Sequence, residues 1–295
     1  MALLTIYTPT YNREKLLPRV YDCLCRQTCQ DFVWLIIDDG STDHTCELVK
    51  RWIAEGRLNI QYQYKENGGV HTARDLAFHL CKTTLVASCD SDDRITDHAV
   101  EYWLEAWEKY GGSEYAGIIS VAVDENGNRV TDPFPKMKAL SYQDYTYKYC
   151  CGKEKDTVLN AEIVSKLPNF PVFEGEKLVG EGYKWIQLPQ DKPFLLLDKV
   201  TRIYEQQPDG YVKNVVSSRF KNPRGFQALY RQRIISSKYL RPRIKGHIGY
   251  IAFSMILKDK HFIRTSPNPI VTALLVPFGT AVYLRFLYQR NRTKK

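Results

Sequence analysis

Four times within its first 110 residues the chain alternates a short apolar run with apolar residues at helical spacing. LLTIYT at 3–8 is followed by Leu17, Val20, Tyr21 and Leu24, and FVWLII at 32–37 by Cys46, Val49, Trp52 and Ile53. NIQYQYK at 59–65 then precedes Val70, Ala73, Leu76, Ala77 and Leu80, and TTLVAS at 83–88 precedes Val100, Trp103, Leu104 and Trp107. Each short run reads as a buried strand and each three-to-four spacing as an amphipathic helix. Helical crossovers return successive strands parallel, so an α/β fold is expected, with a mostly parallel sheet covered by helices on both faces.

The 295 residues, 44% hydrophobic and 25% charged, can bury a large core, which excludes disorder as the main state. The net charge of +9 is unevenly spread. Residues 219–295 hold 17 Lys and Arg against one acid, Asp259, and carry +16; residues 1–218 hold 25 basic and 32 acidic residues and carry −7. Two physical tasks are implied. Between 124 and 218 the periodicity is broken by Pro133, Pro135, Pro168, Pro171, Pro189, Pro193 and Pro208, as in a layer of short elements and loops. The eight cysteines show no paired C-x-x-C spacing and are expected to be reduced core thiols. No basic region or cleavage site precedes the run at 3–8, so the cytosolic side is expected.

In an open α/β sheet, ligands bind beyond the carboxyl ends of the strands, where helix N-termini offer backbone donors. Two acidic clusters fall there: DDGSTD at 38–43 after the second strand, and DSDD at 90–93 after the fourth. Either alone reads equally as a turn with a helix cap. Together they say more, because Asp90, Asp92 and Asp93 lie within four residues, repel one another, and are best tolerated beside a cation. Carboxylate oxygens suit a hard divalent ion, Mn²⁺ or Mg²⁺, which in turn holds a diphosphate. NGGVHTAR at 67–74 offers a second anion partner: two glycines let the backbone approach a ligand, and Arg74 can reach phosphate oxygens as a fork.

These segments resemble the glycosyltransferase family 2 enzymes, which have the GT-A nucleotide-diphospho-sugar transferase fold. The resemblance rests on TPTYN at 8–12, IIDDGSTD at 36–43, ENGGVHTARDLA at 66–77 and CDSDD at 89–93, in family order, and covers the first 110 residues. It implies a metal-dependent enzyme that moves a sugar from a nucleotide diphosphate, UDP being the expected one, to an acceptor hydroxyl with inversion. By the same resemblance, Thr8 and Tyr11 line the base and ribose pocket, and Asp39 with Asp38 accepts from the uracil-type ring N–H. Arg74 contacts the diphosphate. Asp90 and Asp92 form the D-x-D pair, Asp92 as direct metal ligand and Asp90 nearer the ribose, while Asp93 faces the acceptor. The implied acceptor is a glycan on a polyprenyl carrier, as in bacterial surface polysaccharide or lipid-linked oligosaccharide synthesis.

The family's catalytic base lies in an acidic stretch of the second half, often written E-D. Here FEGEKLVGEGYKWIQL at 173–188 offers Glu174, Glu176 and Glu181, and departs from the pattern because Gly182 follows Glu181. Glu181 is preferred, with Glu176 as the alternative, since YKWIQL has helical spacing and Glu181 would open that helix. A late histidine ligand found in some relatives has no match among the histidines at 44, 71, 79, 98, 247 and 261. IYEQQPDGYVKN at 203–214 occupies that region, so diphosphate and water are expected to complete the metal shell.

The expected domains are a GT-A catalytic domain over 1–218, with a nucleotide-sugar half at 1–110 and an acceptor half at 111–218, and a basic, apolar helical region over 219–295. Ile248, Ile251, Phe253, Met255, Ile256 and Leu257, with the uncharged stretch 270–284, are expected to hold the enzyme on the inner face of an anionic membrane. Fifteen uncharged residues fall short of the roughly 20 that span a bilayer, and Pro277 and Gly279 interrupt them, so the helix is expected to lie in the interface with Tyr283, Tyr288 and Arg285 at headgroup level. Packing on the catalytic domain or in a homo-oligomer is the alternative. A D-x-D phosphohydrolase would carry Thr two residues beyond its second Asp, where this chain has Arg94. A non-enzymatic membrane or nucleic-acid binding protein is the remaining reading, but the tail lacks zinc spacing, RNP motifs and a helix-turn-helix, so no nucleic-acid partner is expected.

Overall fold

The computed structural model describes residues 2–205 and 215–292. Two compact units emerge, Met1–Leu167 with Leu188–Gln206 and Pro168–Gln187 with Gln207–Lys295. This division departs from a boundary at 218/219, since residues 168–187 group with the basic region. The physical reason is a helix cap: Glu176 accepts from the N–H groups of Arg224 (2.9 Å) and Gly225 (2.8 Å) at the start of a helix of that region.

In the first unit the four βα repeats appear as β1 (Leu4–Thr10), α1 (Leu17–Cys25), β2 (Phe32–Asp38), α2 (Thr45–Glu55), β3 (Ile60–Tyr64), α3 (Val70–Leu80), β4 (Leu85–Ser88) and, after a short β5 (Arg94–Ile95), α4 (Ala99–Tyr110). The remaining elements are β6 (Gly117–Asp124), β7 (Ala139–Leu140), a π-helical turn (Asp144–Lys148), β8 (Asp156–Asn160), α5 (Ala161–Ser165) and β9 (Phe194–Tyr204). All nine strands form one sheet in the order β3-β2-β1-β4-β8-β6-β9-β5, with β7 on β9. The nucleotide half, β3-β2-β1-β4, is parallel throughout. Beyond it the sheet is mixed, because β8 runs antiparallel to both β4 and β6.

Side-chain alternation along β1 explains why both faces are covered. Leu4 and Ile6 join a core with Leu17, Val20 and Leu24 of α1, Val49 and Trp52 of α2, and Trp103 of α4. Tyr7 points the other way and meets Phe78 of α3 edge-on, ring centroids 5.5 Å apart. Within the first core a buried hydroxyl ties β1 to β2 and to the start of the turn after β4: Thr8 accepts from the Trp34 indole N–H (2.9 Å) and donates to the Cys89 carbonyl (2.7 Å).

The second unit contains α6 (Gly182–Trp185), α7 (Val215–Lys221), α8 (Pro223–Ser236), α9 (Leu240–Ile256), α10 (Phe262–Thr265) and α11 (Pro269–Arg292). Phe253 of α9 stacks on Phe226 of α8 at 4.9 Å and meets Phe286 of α11 at 5.6 Å. Small residues bring these helices close: a Cβ on Gly249 would overlap the Tyr230 ring, and one on Gly279 would overlap Ile251. Ile251 and Phe253, expected to reach a membrane, are instead fully buried between helices. α11 also differs from expectation, running 24 residues through Pro277 without a break. Among the described residues it is the one helix long and apolar enough to cross a membrane.

Thr8→Val removes the acceptor for Trp34 and the donor for Cys89 in a dry core. Thermal unfolding should show a loss of about 1–3 kcal/mol, the cost of unsatisfied buried polar groups.

Candidate active site

The loops after β1 and β2 are interlocked by backbone capping. Asn12, held at φ 53°, accepts through its amide oxygen from Thr42 N–H (2.8 Å), while its own N–H donates to Ser41 Oγ (2.9 Å). Asp43 accepts from Glu14 N–H (3.1 Å) and from the Thr45 hydroxyl (2.6 Å). Burial opposes ionisation of Asp43, yet these hydrogen bonds outweigh it and hold the carboxyl below the usual carboxylate range. The TPTYN and DDGSTD segments therefore form one rigid rim.

Asp38 and Asp39 part company. Asp38 is fully buried, accepting from Ser41 N–H (2.7 Å) and the Tyr62 hydroxyl (2.7 Å), so it braces the loop behind the cleft. Burial, with Asp38 as acceptor, pushes the Tyr62 phenol well above its ordinary value. Asp39 turns to the N-terminus of α3, accepting from Gly68 N–H (2.9 Å), Gly69 N–H (2.7 Å) and Lys65 Nζ (2.5 Å). The two glycine N–H groups expected for a diphosphate are thus given to Asp39. Gly40 permits this approach: its φ is 84°, and a Cβ there would lie 2.8 Å from Asn67 N.

The acidic turn after β4 is sorted by two arginines. Asp93 is buried and paired with Arg202 of β9 at 2.7 Å, so it does not face an acceptor. Arg202 also donates to Asp156 (2.9 Å) and to the Ser88 carbonyl, and Thr201 donates to the other Asp156 oxygen (2.7 Å). Burial pushes the Asp93 carboxyl up to about 7, with Arg202 opposing and the charges of Asp90 and Asp92 adding to the push. The two neighbouring carboxylates hold the Arg202 guanidinium charged despite its burial. On the other side, Arg74 lies 3.4 Å from Asp90 Oδ2.

A cleft of about 220 Å³ opens beside this turn, lined by Pro9, Thr10, Tyr11, Arg13, Asp39, Val70, Asp90, Ser91 and Asp92. Of the expected donor residues, Tyr11, Asp39, Asp90 and Asp92 line it and Arg74 touches it through Asp90; Asp38 and Thr8 do not line it, because their polar groups are spent inside the core. Arg13, two residues beyond Tyr11, is a lining residue that the motifs did not single out. Arg202 was missed as well, since nothing in the β9 sequence marks an arginine that reaches the D-x-D turn.

The donor set fits a hard divalent ion. Asp90 Oδ1 is buried with no hydrogen-bond partner among the described residues, while its other oxygen faces Arg74, and Asp92 lies on the same wall. No group of three His, Cys, Asp or Glu with metal-site geometry occurs among the described residues. The protein's share of such a shell would thus be the Asp90 and Asp92 carboxylates. The segment expected to replace a histidine ligand, 203–214, lies outside the described residues from 206 onward.

The candidate bases belong to the second unit. Both Glu176 oxygens cap α8, as described above, which commits this carboxylate, the alternative base, to a structural role. Glu181 is exposed at the N-cap of α6, where it accepts from the Trp185 indole N–H at 3.2 Å.

The family model described as glycosyl transferase family 2 matches residues 5–158. The chain belongs to glycosyltransferase family 2 and has its GT-A fold. Chondroitin synthase of Escherichia coli is 29% identical over 134 residues, 45% of this chain and 19% of the relative. Validoxylamine A glucosyltransferase of Streptomyces hygroscopicus subsp. limoneus is 41% identical over 95 residues, 31% of this chain and 20% of that protein. The chain thus spans about a fifth of these curated relatives. Among solved structures, Staphylococcus aureus TarS 1-349 in complex with UDP-GlcNAc superposes with a TM-score of 0.65 at 17% identity, covering 96% of this chain and 88% of that one. The mannosyltransferase PcManGT from Pyrobaculum calidifontis, in complex with GDP-Man and Mn²⁺, gives 0.55 at 16% identity over 99% and 83%.

Arg202→Met should lower stability by about 3–5 kcal/mol in urea unfolding, because it strands the buried Asp93 and Asp156 carboxylates without their cation.

Proposed function

We propose that the protein is a metal-dependent, inverting glycosyltransferase that moves a sugar from a nucleotide diphosphate, UDP in preference to others, to an acceptor hydroxyl. The observation that carries the reading is the meeting of Asp90, Asp92 and Arg74 at one cleft whose rim is built by the β1 and β2 loops. Tyr11 and Asp39 line the same cleft, which supports their proposed contact with the nucleoside. Asp39 already accepts three hydrogen bonds. A carboxylate has about four acceptor sites, so one remains for a ring N–H of uracil. A bound Mn²⁺ or Mg²⁺ would supply positive charge against the departing diphosphate. Arg74 adds its own charge to the same leaving group, and its pairing with Asp90 keeps it aimed there.

Glu181 is the proposed base. Its carboxylate takes the proton of the acceptor hydroxyl as that oxygen attacks the anomeric carbon and the bond to the diphosphate breaks. The proposed acceptor is a glycan on a polyprenyl carrier, and the +16 of residues 219–295 supports a working position at the cytosolic face of an anionic membrane. Hydrolysis through an Asp nucleophile finds less support, because the Arg94 guanidinium that replaces the usual Thr is bound to Glu205.

Donor-sugar turnover with Mn²⁺ tests the reading. Chelator should abolish it, and Asp92→Asn should lower it by at least about a hundredfold, as loss of a central electrostatic stabiliser does. Full activity in excess chelator would contradict metal dependence, and calorimetry favouring GDP over UDP would contradict the role of Asp39. Glu181→Gln should nearly abolish transfer while UDP affinity stays within about threefold, since a base acts on the acceptor. Retained turnover in that variant would remove Glu181 from the chemistry.

A further inference from the structure

α11 has two faces of opposite fate. Thr272, Gly279 and Phe286, about half a helical turn away from the stripe described next, are buried against α9: His247 Nδ1 pairs with Thr272 Oγ1 at 2.8 Å, Gly279 abuts Ile251, and Phe286 packs on Phe253. The opposite stripe, Ile270, Leu274, Phe278, Leu284 and Tyr288, is 56–75% exposed. Soluble surfaces seldom carry such a continuous row of large apolar side chains, and only 17% of the most apolar window of this helix is buried. Such a stripe is the kind of surface that marks an interaction site.

Charge selects the cover. Residues 219–295 carry +16, and Arg285, Arg290 and Arg292 are exposed on α11 itself. A second copy of the chain would bring an equally basic surface against this one, whereas an anionic lipid surface attracts it and accepts the apolar stripe beneath the headgroups. Packing then decides the orientation. At a rise of about 1.5 Å per residue, 24 residues would reach across a hydrocarbon core of about 30 Å, so length does not forbid crossing. Yet α9 is bound along the inner face of α11, and α9 with α8 carries exposed Arg231, Arg241, Arg243 and Lys245. Crossing would draw these charges into hydrocarbon.

We infer that α11 docks in the plane of an anionic bilayer, with Ile270, Leu274, Phe278, Leu284 and Tyr288 inserted below the headgroups and Arg285 reaching back to lipid phosphate. This deepens the membrane position proposed above and rests on it. The helix is an interfacial anchor and its C-terminus stays on the cytosolic side.

Flotation of the full chain with preformed vesicles, neutral phosphatidylcholine or phosphatidylcholine with a quarter phosphatidylglycerol, tests both levels. The wild type should float with the anionic vesicles, and salt should weaken this. Leu274→Glu/Phe278→Glu should bind at least about tenfold more weakly with unchanged circular dichroism and thermal unfolding, while Val172→Glu, at an exposed apolar site elsewhere, should bind as wild type. A C-terminal protease-cleavable tag should remain cleavable on intact vesicles. No flotation with either vesicle would overturn the membrane position itself, as would a dimer in light scattering that the double variant dissociates. Flotation with a protected tag, or undiminished binding of the double variant, would overturn the in-plane anchor and leave the membrane position standing.

Discussion

Three carboxylates within four residues repel one another unless cations divide them, and that constraint organises the first unit. Arg202 reaches from β9 to Asp93, Asp156 and the Ser88 carbonyl, so the strand order β8-β6-β9 serves the turn after β4 as much as the core. Arg74 reaches from α3 to Asp90. Asp93 becomes an anchor, while Asp90 and Asp92 face the cleft. The same division is made at the other acidic pair, where Asp38 is spent on Tyr62 and Ser41 and Asp39 on the start of α3. In each cluster one acid, Asp93 or Asp38, is spent on the scaffold, while Asp90 and Asp92 in one and Asp39 in the other line the cleft.

The parallel half of the sheet and the position of both acidic clusters were legible because period-two and period-3.6 patterns are local and ligand loops follow strand ends. What stayed hidden was long-range. Thr8 looks like a pocket residue in TPTYN, but its hydroxyl is claimed by Trp34 and Cys89, 26 and 81 residues away. Arg202 lies 109 residues from Asp93, and no spacing rule connects them. Glu176 reads as one acid of three until the helix it caps, almost 50 residues later, is in view.

The basic region illustrates the same limit. Its charge was plain in the sequence, but composition could not tell which apolar residues pack and which remain outside. Ile251 and Phe253 stitch α8, α9 and α11 together, while Ile270, Leu274 and Phe278 stay exposed. Burial of His247 holds its imidazole below the ordinary histidine value, so this helical layer favours the neutral ring; its stability is present above the unfolded-state pKa and declines as pH falls through it. The exposed apolar stripe and the internal packing therefore use different residues of the same helices.

The division of labour at the acidic turn is most directly tested by anomalous scattering from crystals of the protein grown with UDP and Mn²⁺. The account predicts a manganese peak on the Asp92 and Asp90 carboxylates, with Asp93 still bound to Arg202 and Asp38 still bound to Tyr62. A peak on Asp93 or Asp38, or none within the cleft, would contradict it.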